Sequence, residues 1–281
     1  MANLFSGMEE FGLGKLSNQL DVYEVKEENP KKDGQEEVHI VREAELLFHK
    51  TMICPVCDGQ FKAKTIRTGK VKLLSADTDL RPKYSQVDSL KYDAIVCPKC
   101  GYSALRRFFD SVTSVQAKLI KEKISMNFKG IHQEMEFYTY DDAIVRHKLA
   151  LVNSIVKSAK LSERAYICLK TAWLFRGKRE SLPTDTPDYE KEIQSLQHEE
   201  DEFISKAYVG FKDAFMKETF PMCGMDEVTC TYLVADLARR CGEYDEASRW
   251  ISDVITNRVA TDRIKEKARD IKELIMEEKK K

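Results

Sequence analysis

The sequence contains little of what membrane proteins, exported proteins and metal-dependent hydrolases require. Its 281 residues include no apolar run of eighteen, so we expect no membrane-spanning helix. The first residues lack a basic segment followed by a continuous apolar one, which argues against a secretory signal. Only 5 histidines occur, and they are scattered without a pair at metal-ligand spacing.

Catalytic signatures are missing as well. There is no nucleophile elbow, no phosphate-binding glycine loop and no His-Glu-x-x-His helix. We therefore expect a protein that is not an enzyme. Eight cysteines, four of them in two close pairs, suit a reducing compartment better than a disulfide framework. Together these features predict a cytoplasmic protein with no membrane association.

Charge is distributed unevenly along the chain, although the formal net charge is −1. Residues 1–53 contain 6 basic and 11 acidic side chains, a net charge of −5. Residues 54–107 contain 11 basic and 5 acidic side chains, a net charge of +6. The basic segment is also the one that carries the two cysteine pairs.

Three segments differ in texture, and together they predict an α+β protein that is mostly α. Residues 1–37 end in a Pro- and Gly-punctuated charge run, which predicts a flexible N-terminal segment. Residues 38–109 contain short, β-branched, alternating stretches, which predict a small β-rich module. Residues 110–281 show apolar side chains at helical spacing and predict an α-helical domain.

Within the β-rich module, the pattern predicts a strand beginning near Phe61, a turn at Thr68 and Gly69, and a strand through residues 92–96. Residues 42–50 suggest a short helix instead. In the helical part, Thr113 and Gln116 form a capping-box pattern. Residues 176–190 contain two prolines and predict a loop. The helices that we expect lie at residues 114–124, 141–159, 162–175, 189–218, 227–241, 245–258 and 261–281.

One helical hairpin resembles a tetratricopeptide repeat (TPR). The stretch Gly-Glu-Tyr-Asp-Glu-Ala ends at Ala247, where a small residue lets two helices approach closely. A second Tyr-Asp-x-Ala ends at Ala143, 104 positions earlier, which is close to three repeats of about 34 residues. We expect a TPR-like array of helical hairpins, with an irregular helical bundle as the alternative.

The two Cys-Pro-x-Cys turns carry the chemistry of this sequence. Cys54 and Cys57 form the first pair, and Cys97 and Cys100 form the second. Two Cys-x-x-Cys turns supply the four thiolates that a tetrahedral zinc ion prefers, and such a closed shell is typical of a structural site. The 39 residues between the pairs (58–96) exceed the usual zinc-ribbon spacing, but loop closure costs only about 0.6 kcal/mol per doubling of length. We predict Zn²⁺ at these four cysteines, although four thiolates also accept iron.

Redox activity is the alternative for these cysteines, but a thioredoxin-type pair needs its first sulfur at a helix N-terminus. Here, strand-like segments precede both turns. His49 stands near the first turn but is a weak candidate ligand. We expect Cys168, Cys223, Cys230 and Cys241 to be buried thiols, and Trp173 and Trp250 to be core residues.

Several stretches together resemble the bacterial domain-of-unknown-function family 2225 (DUF2225). They are the two cysteine turns, Asp-Thr-Asp-Leu-Arg-Pro-Lys-Tyr at 77–84, Cys-Pro-Lys-Cys-Gly-Tyr-Ser-Ala at 97–104, and the helical stretches at 148–156 and 162–176. The resemblance begins near Lys50 and implies a zinc-ribbon-like part followed by a TPR-like part. It implies no activity. One departure is that Asp58 follows Cys57, where the family pattern has glycine.

We therefore expect a structural zinc protein whose helical array binds an unidentified protein partner. Nucleic-acid binding by the basic module is the alternative, through Lys62, Lys64, Lys70, Lys72, Arg106 and Arg107. The loop at 77–84 carries Asp77, Asp79 and Arg81. We interpret it as a tight turn in which Arg81 pairs with an aspartate. An enzyme that uses this loop is a further alternative.

Overall fold

The computed structural model describes residues 42–132 and 134–280, so the predicted flexible segment 1–37 lies outside the described residues. Within these residues, six strands precede the helices: β1 (Leu47–Ile53), β2 (Gln60–Ile66), β3 (Leu73–Ala76), β4 (Pro82–Tyr84), β5 (Ala94–Val96) and β6 (Ser103–Leu105). The α-helices in this part of the chain are α1 (Ser114–Ile120), α2 (Tyr140–Val156), α3 (Leu161–Glu180), α4 (Tyr189–Lys217), α5 (Glu227–Arg240), α6 (Tyr244–Thr256) and α7 (Asp262–Glu278). The prediction of a mostly helical α+β protein is confirmed.

The strands form three antiparallel hairpins of two strands each, β1–β2, β3–β4 and β5–β6. In the first hairpin, pairing ends at Ile53 opposite Gln60, directly beside the first cysteine turn. In the third, it ends at Val96 opposite Ser103, beside the second turn. Each cysteine pair therefore lies in the tip of its own hairpin, and the middle hairpin is inserted between them.

Two sequence-based predictions of secondary structure are wrong. Residues 42–50 do not form a helix: a short 3₁₀ turn at Glu43–Leu46 leads directly into β1, because the backbone from Leu47 onward pairs with β2. The predicted loop at 176–190 begins too early, since α3 continues to Glu180. Arg176 in this last part of α3 is buried and bonds to the carboxylates of Asp79 and Glu200, so it is a packed helical residue and not part of a polar loop.

Local signals in the helical part are confirmed. Thr113 and Gln116 make both hydrogen bonds of a capping box at the start of α1, which continues as a π-helical turn at Lys121–Ser125. Ala247 is fully buried in α6, as expected for a small residue at a helix crossing. A TPR-like array, and the division of the chain at residue 109, stay predictions.

The two largest hydrophobic cores lie among the helices and beneath the cysteine turns. The larger core lies among helices α2 to α7 and includes Trp173, which is 3% exposed, whereas Trp250 is half-buried at its edge. A second core lies beneath the turns and contains Phe61, Tyr102, Phe109 and residues of α1. Among the described residues, no helix combines the length and apolarity needed to cross a membrane.

Candidate metal centre

Both cysteine turns share one backbone conformation. The N–H of Asp58 donates to the carbonyl of Cys54 at 2.9 Å, and the N–H of Gly101 donates to the carbonyl of Cys97 at 3.0 Å. Asp58 and Gly101 are left-handed, with φ of 55° and 74°. Aspartate and glycine are both residues that reach positive φ at low cost. Aspartate in place of glycine thus leaves the loop shape unchanged.

One further backbone hydrogen bond closes each turn at the end of its hairpin. The N–H of Cys54 donates to the carbonyl of Gly59 at 3.0 Å, and the N–H of Cys97 donates to the carbonyl of Tyr102 at 2.8 Å. The first cysteine of each pair is therefore fixed at the end of an incoming strand. Neither cysteine stands at a helix N-terminus, the position that activates a thioredoxin-type thiol.

The four sulfur atoms converge although 39 residues separate the turns. The Sγ atoms of Cys54 and Cys100 lie 3.6 Å apart, and those of Cys57 and Cys97 lie 3.7 Å apart. All four sulfur atoms lie within 4.8 Å of one another. A disulfide would place two sulfurs about 2.05 Å apart. A tetrahedron with Zn–S bonds of about 2.3 Å has sulfur–sulfur edges of about 3.8 Å, close to both measured distances.

The cluster is closed to solvent on most sides. Cys54 and Cys97 are fully buried, Cys100 is 6% exposed, and Cys57 is half-buried. Hydrogen bonds from Cys100 and then Cys54 lower the pKa of Cys97, whereas hydrogen bonds with Cys54 and then Cys97 raise the pKa of Cys100. Four thiolates this close repel one another, so a cation among them is what allows all four to ionise. The arrangement could hold a metal ion.

Contacts from the helical part hold the second turn in place. Asn153 of α2 is fully buried and donates to the carbonyl of Gly101 at 3.1 Å. The ring of Phe128 lies directly over Gly101, where an added Cβ would meet it at 2.6 Å. The hydroxyl of Tyr102 donates to the carbonyl of Phe109. These three contacts were not predicted from the sequence. The signal for Asn153 was a polar residue within the apolar stretch 149–156 of α2.

The other candidate ligands lie apart from the cluster. His49 is exposed, and its Nε2 lies 3.3 Å from Nζ of Lys64. Cys168, Cys223 and Cys230 are buried as predicted, whereas Cys241 is half-buried. Burial raises the pKa of Cys168 to about 11 and that of Cys223 to about 12, so both thiols stay protonated at neutral pH.

The middle hairpin, which we call the insertion hairpin (residues 73–84), carries the Asp77–Arg81 turn. The backbone N–H of Asp77 donates to the carbonyl of Arg81 at 2.8 Å, and their side chains form an ion pair at 3.7 Å. Nη1 of Arg81 also donates to Glu180 of α3 at 2.9 Å. The predicted tight turn, with Arg81 paired to an aspartate, therefore describes the local geometry, but it did not include the contact between Arg81 and Glu180 of α3.

The tip of the insertion hairpin is bound by helices α3 to α5. Asp79 is fully buried and pairs with Arg176 of α3 at 2.6 Å. Arg176 also bonds to Glu200 of α4 at 2.7 Å. From α5, the hydroxyl of Tyr232 donates to the carbonyl of Thr78 at 2.8 Å. No sequence signal located these partners, since Asp79 and Arg176 are 97 positions apart.

The six basic side chains proposed for nucleic-acid binding belong to residues 38–109, which we call the cysteine module, and they differ in exposure and in contacts. Lys64 is buried, Arg106 bonds to neighbouring backbone oxygens, and Arg107 bonds to the carbonyl of Cys223. Lys62, Lys70 and Lys72 are exposed. Half of the predicted basic surface is therefore occupied by intramolecular contacts, and nucleic-acid binding stays a prediction.

Comparison with known proteins gives a family for this fold and site. Residues 47–275 match a family model described as "Uncharacterized protein conserved in bacteria (DUF2225)". The chain belongs to DUF2225. The DUF2225 match begins at β1 and ends within α7, so it includes both cysteine turns and the insertion hairpin.

Relatives of this DUF2225 chain add no activity. An uncharacterised protein of Borreliella burgdorferi is 23% identical over 163 residues, which is 50% of this chain and 56% of that protein. The chain thus spans little more than half the length of that relative. No solved structure matches the chain. What the comparisons contribute is membership of DUF2225.

Proposed function

We propose that this DUF2225 chain is a structural zinc protein without catalytic activity, whose helical part binds a protein partner. The main support for a bound metal is that the sulfur–sulfur distances, 3.6 and 3.7 Å, match the edge of a zinc–thiolate tetrahedron. Four thiolates leave no coordination position for water or substrate, which supports a structural role. The hairpin location of both pairs favours a metal over a redox pair.

Zinc at this site would fasten the first hairpin to the third. The two turns are held to the rest of the chain through different contacts, the second through Asn153 and Phe128. Binding at Cys54, Cys57, Cys97 and Cys100 joins these contacts into one unit and closes the chain around the insertion hairpin. Structural zinc contributes about 10–16 kcal/mol in small zinc modules, so folding of this part would depend on the metal. We describe this part as zinc-ribbon-like and the helices as TPR-like.

The partner surface in this proposal is an outer face of the helices. The tip of the insertion hairpin already covers the surface shared by α3, α4 and α5. On α2, three apolar side chains recur along one face and are exposed by about half: Val145 at 55%, Val152 at 49% and Ile155 at 54%. Such an apolar stripe is typical of a contact surface. The eight unpaired cysteines support a cytoplasmic location.

The metal is tested by elemental analysis of the purified chain together with a free-thiol count. We expect about one zinc per chain and four thiols that react only after a chelator is added. Cys97→Ser should remove the zinc and lower the melting temperature, whereas Cys168→Ser, a buried cysteine outside the cluster, should keep it. A metal-free chain with a reversible disulfide between Cys54 and Cys57 would overturn the proposal in favour of a thiol oxidoreductase.

The partner is tested with matched surface variants. Val152→Glu changes the α2 stripe, and Val209→Glu changes a residue of similar exposure on α4. We expect a protein that crosslinks to the wild-type chain in cells to be lost with Val152→Glu and kept with Val209→Glu. Equal crosslinking of both variants would contradict this surface, and a steep loss of a nucleic-acid complex with salt would favour the alternative.

A further inference from the structure

A cavity of about 540 Å³ lies between the cysteine module and the helices, apart from the metal centre. The insertion hairpin contributes Leu80 and Tyr84 to its lining, and α3 and α5 contribute Leu169, Trp173 and Leu233. Its volume falls within the range of small-molecule sites in proteins, about 300–1,000 Å³. The walls are mainly aliphatic and aromatic.

Charged side chains line one part of this cavity. Asp93 and Lys170 form an ion pair there, and both side chains are largely buried, at 21% and 12% exposure. Burial opposes ionisation of Asp93, but the charge and hydrogen bond of Lys170 outweigh it and lower the pKa of Asp93. The pair is therefore ionised and neutral as a whole.

Arg106 lies beside this pair, so that the charge of the one carboxylate, Asp93, acts on two cations. Its hydrogen bonds within the described residues all come from Nη2, to the carbonyls of Lys64 and Tyr92 and to Oγ1 of Thr65. No carboxylate in the described part of the chain forms an ion pair with it. The three charged groups of the cavity thus carry a net charge of +1, and the Nε and Nη1 donors of Arg106 remain available.

We propose that this cavity binds a small organic acid with one carboxylate and a flat, apolar body. The carboxylate would accept hydrogen bonds from Arg106, since charge-assisted bonds to guanidinium are strong and directional. The apolar body would lie between Leu80 and the face of α3 that carries Leu169 and Trp173. A single excess positive charge matches one carboxylate better than a di- or triphosphate. This site goes beyond the proposed structural and partner-binding role.

The insertion hairpin forms part of the cavity lining. Leu80 follows Asp79 directly, and the buried bond between Asp79 and Arg176 fixes its position against the helices. Leu80 is itself left-handed, with φ of 68°, which places it in the strained region that often marks ligand sites. The hairpin therefore has a role in building a pocket as well as in connecting the cysteine turns.

The test uses the full, zinc-loaded chain with 2-naphthoate as probe and 2-naphthamide as its neutral counterpart. Isothermal titration calorimetry should show that the acid binds at least tenfold more tightly than the amide. Methyl-labelled leucine spectra should show shifts at Leu80, Leu169 and Leu233, and none at Leu196, which is buried outside the cavity. Equal affinity for acid and amide, or no binding of either at millimolar concentration, would overturn the proposal.

A matched pair of variants ties the binding to this cavity. Ser89→Phe fills the cavity from a half-buried position whose hydroxyl makes no hydrogen bond among the described residues. Ser75→Phe adds the same ring on the exposed strand β3. We expect at least tenfold weaker binding in the first variant and wild-type affinity in the second. If a folded Ser89→Phe chain binds the probe with wild-type affinity, the probe lies elsewhere and the site is rejected. If that variant does not fold, the leucine shifts of the wild-type chain decide the question independently.

Discussion

Replacing Asp79 by asparagine removes the charge that holds the insertion hairpin against the helices. The carboxylate is fully buried, with Oδ2 2.6 Å from Nη2 of Arg176 and 3.6 Å from Nε of Arg240. Breaking a buried ion pair by removing one partner costs about 3–5 kcal/mol. Arg176 keeps its bonds to Glu200 at 2.7 Å and Asp77 at 3.0 Å, so we expect the lower end, about 3 kcal/mol.

The assay is urea unfolding of zinc-saturated protein at pH 7, with a calorimetric scan in parallel. For a chain of this size, 1 kcal/mol lowers the melting temperature by about 2–4 °C, which gives a shift of about 6–12 °C. Asp188→Asn is the control, because this carboxylate is 72% exposed and, within residues 42–132 and 134–280, pairs only with Lys191. We expect no measurable change there. A loss below about 1 kcal/mol for Asp79→Asn would refute the buried-pair reasoning.

The pH dependence of this difference gives a second check. Burial opposes ionisation of Asp79, but the hydrogen bonds from Arg176 and the charge of Arg240 together outweigh it and lower the pKa of the carboxyl. A lowered pKa stabilises the folded chain above the unfolded value of about 3.9, and this contribution disappears as the pH falls through the folded value. The wild-type advantage over Asp79→Asn should therefore be constant at neutral pH and shrink below about pH 4. An advantage that grows on acidification would contradict the assignment.

Three further substitutions probe the cysteine turns, each measured by thermal unfolding with zinc content determined in parallel. Gly101→Ala places a Cβ 2.6 Å from the ring of Phe128 at a φ of 74°, so we expect the free energy of unfolding to fall by about 1–3 kcal/mol. An unchanged melting temperature would show that the ring moves freely. Asp58→Gly occupies the same backbone position in the first turn and should stay within about 0.5 kcal/mol of wild type with full metal content, because glycine adopts a φ of 55° without strain. Asn153→Ala leaves the buried carbonyl of Gly101 without its side-chain donor and should cost about 1–3 kcal/mol, and a smaller loss would mean that the backbone relaxes.

Features that depend on neighbouring residues were predictable from the sequence. The left-handed positions at Asp58 and Gly101 follow from the residue types that tolerate positive φ, and the capping box at Thr113 follows from a spacing of three. The terminal helix, expected at 261–281, buries Ala268, Ile271 and Ile275, which recur at helical spacing along one face. In each case, the information lies within one or two turns of the chain.

Features that depend on distant partners were not predictable. Lys64 was expected to be exposed as part of a basic surface. It is buried instead, with Nζ 5.7 Å from the ring centre of Tyr138. Arg176 reads as the start of a polar loop, but carboxylates from the insertion hairpin and α4 make it a buried helical residue. Tertiary partners override local propensity at such positions. A single sequence gives no means of pairing residues nearly a hundred positions apart.

Because the insertion hairpin belongs to the same chain as the helices, a free peptide competes poorly with it for their surface. Because residues 77–80 are tethered at both ends, their effective concentration at α3, α4 and α5 is on the order of millimolar or higher. A free acidic peptide would have to exceed that concentration, or bind with far higher affinity, to displace them. These three helices are therefore closed to weak partners in the intact protein, and cleavage or lengthening of the hairpin is the change that would open them.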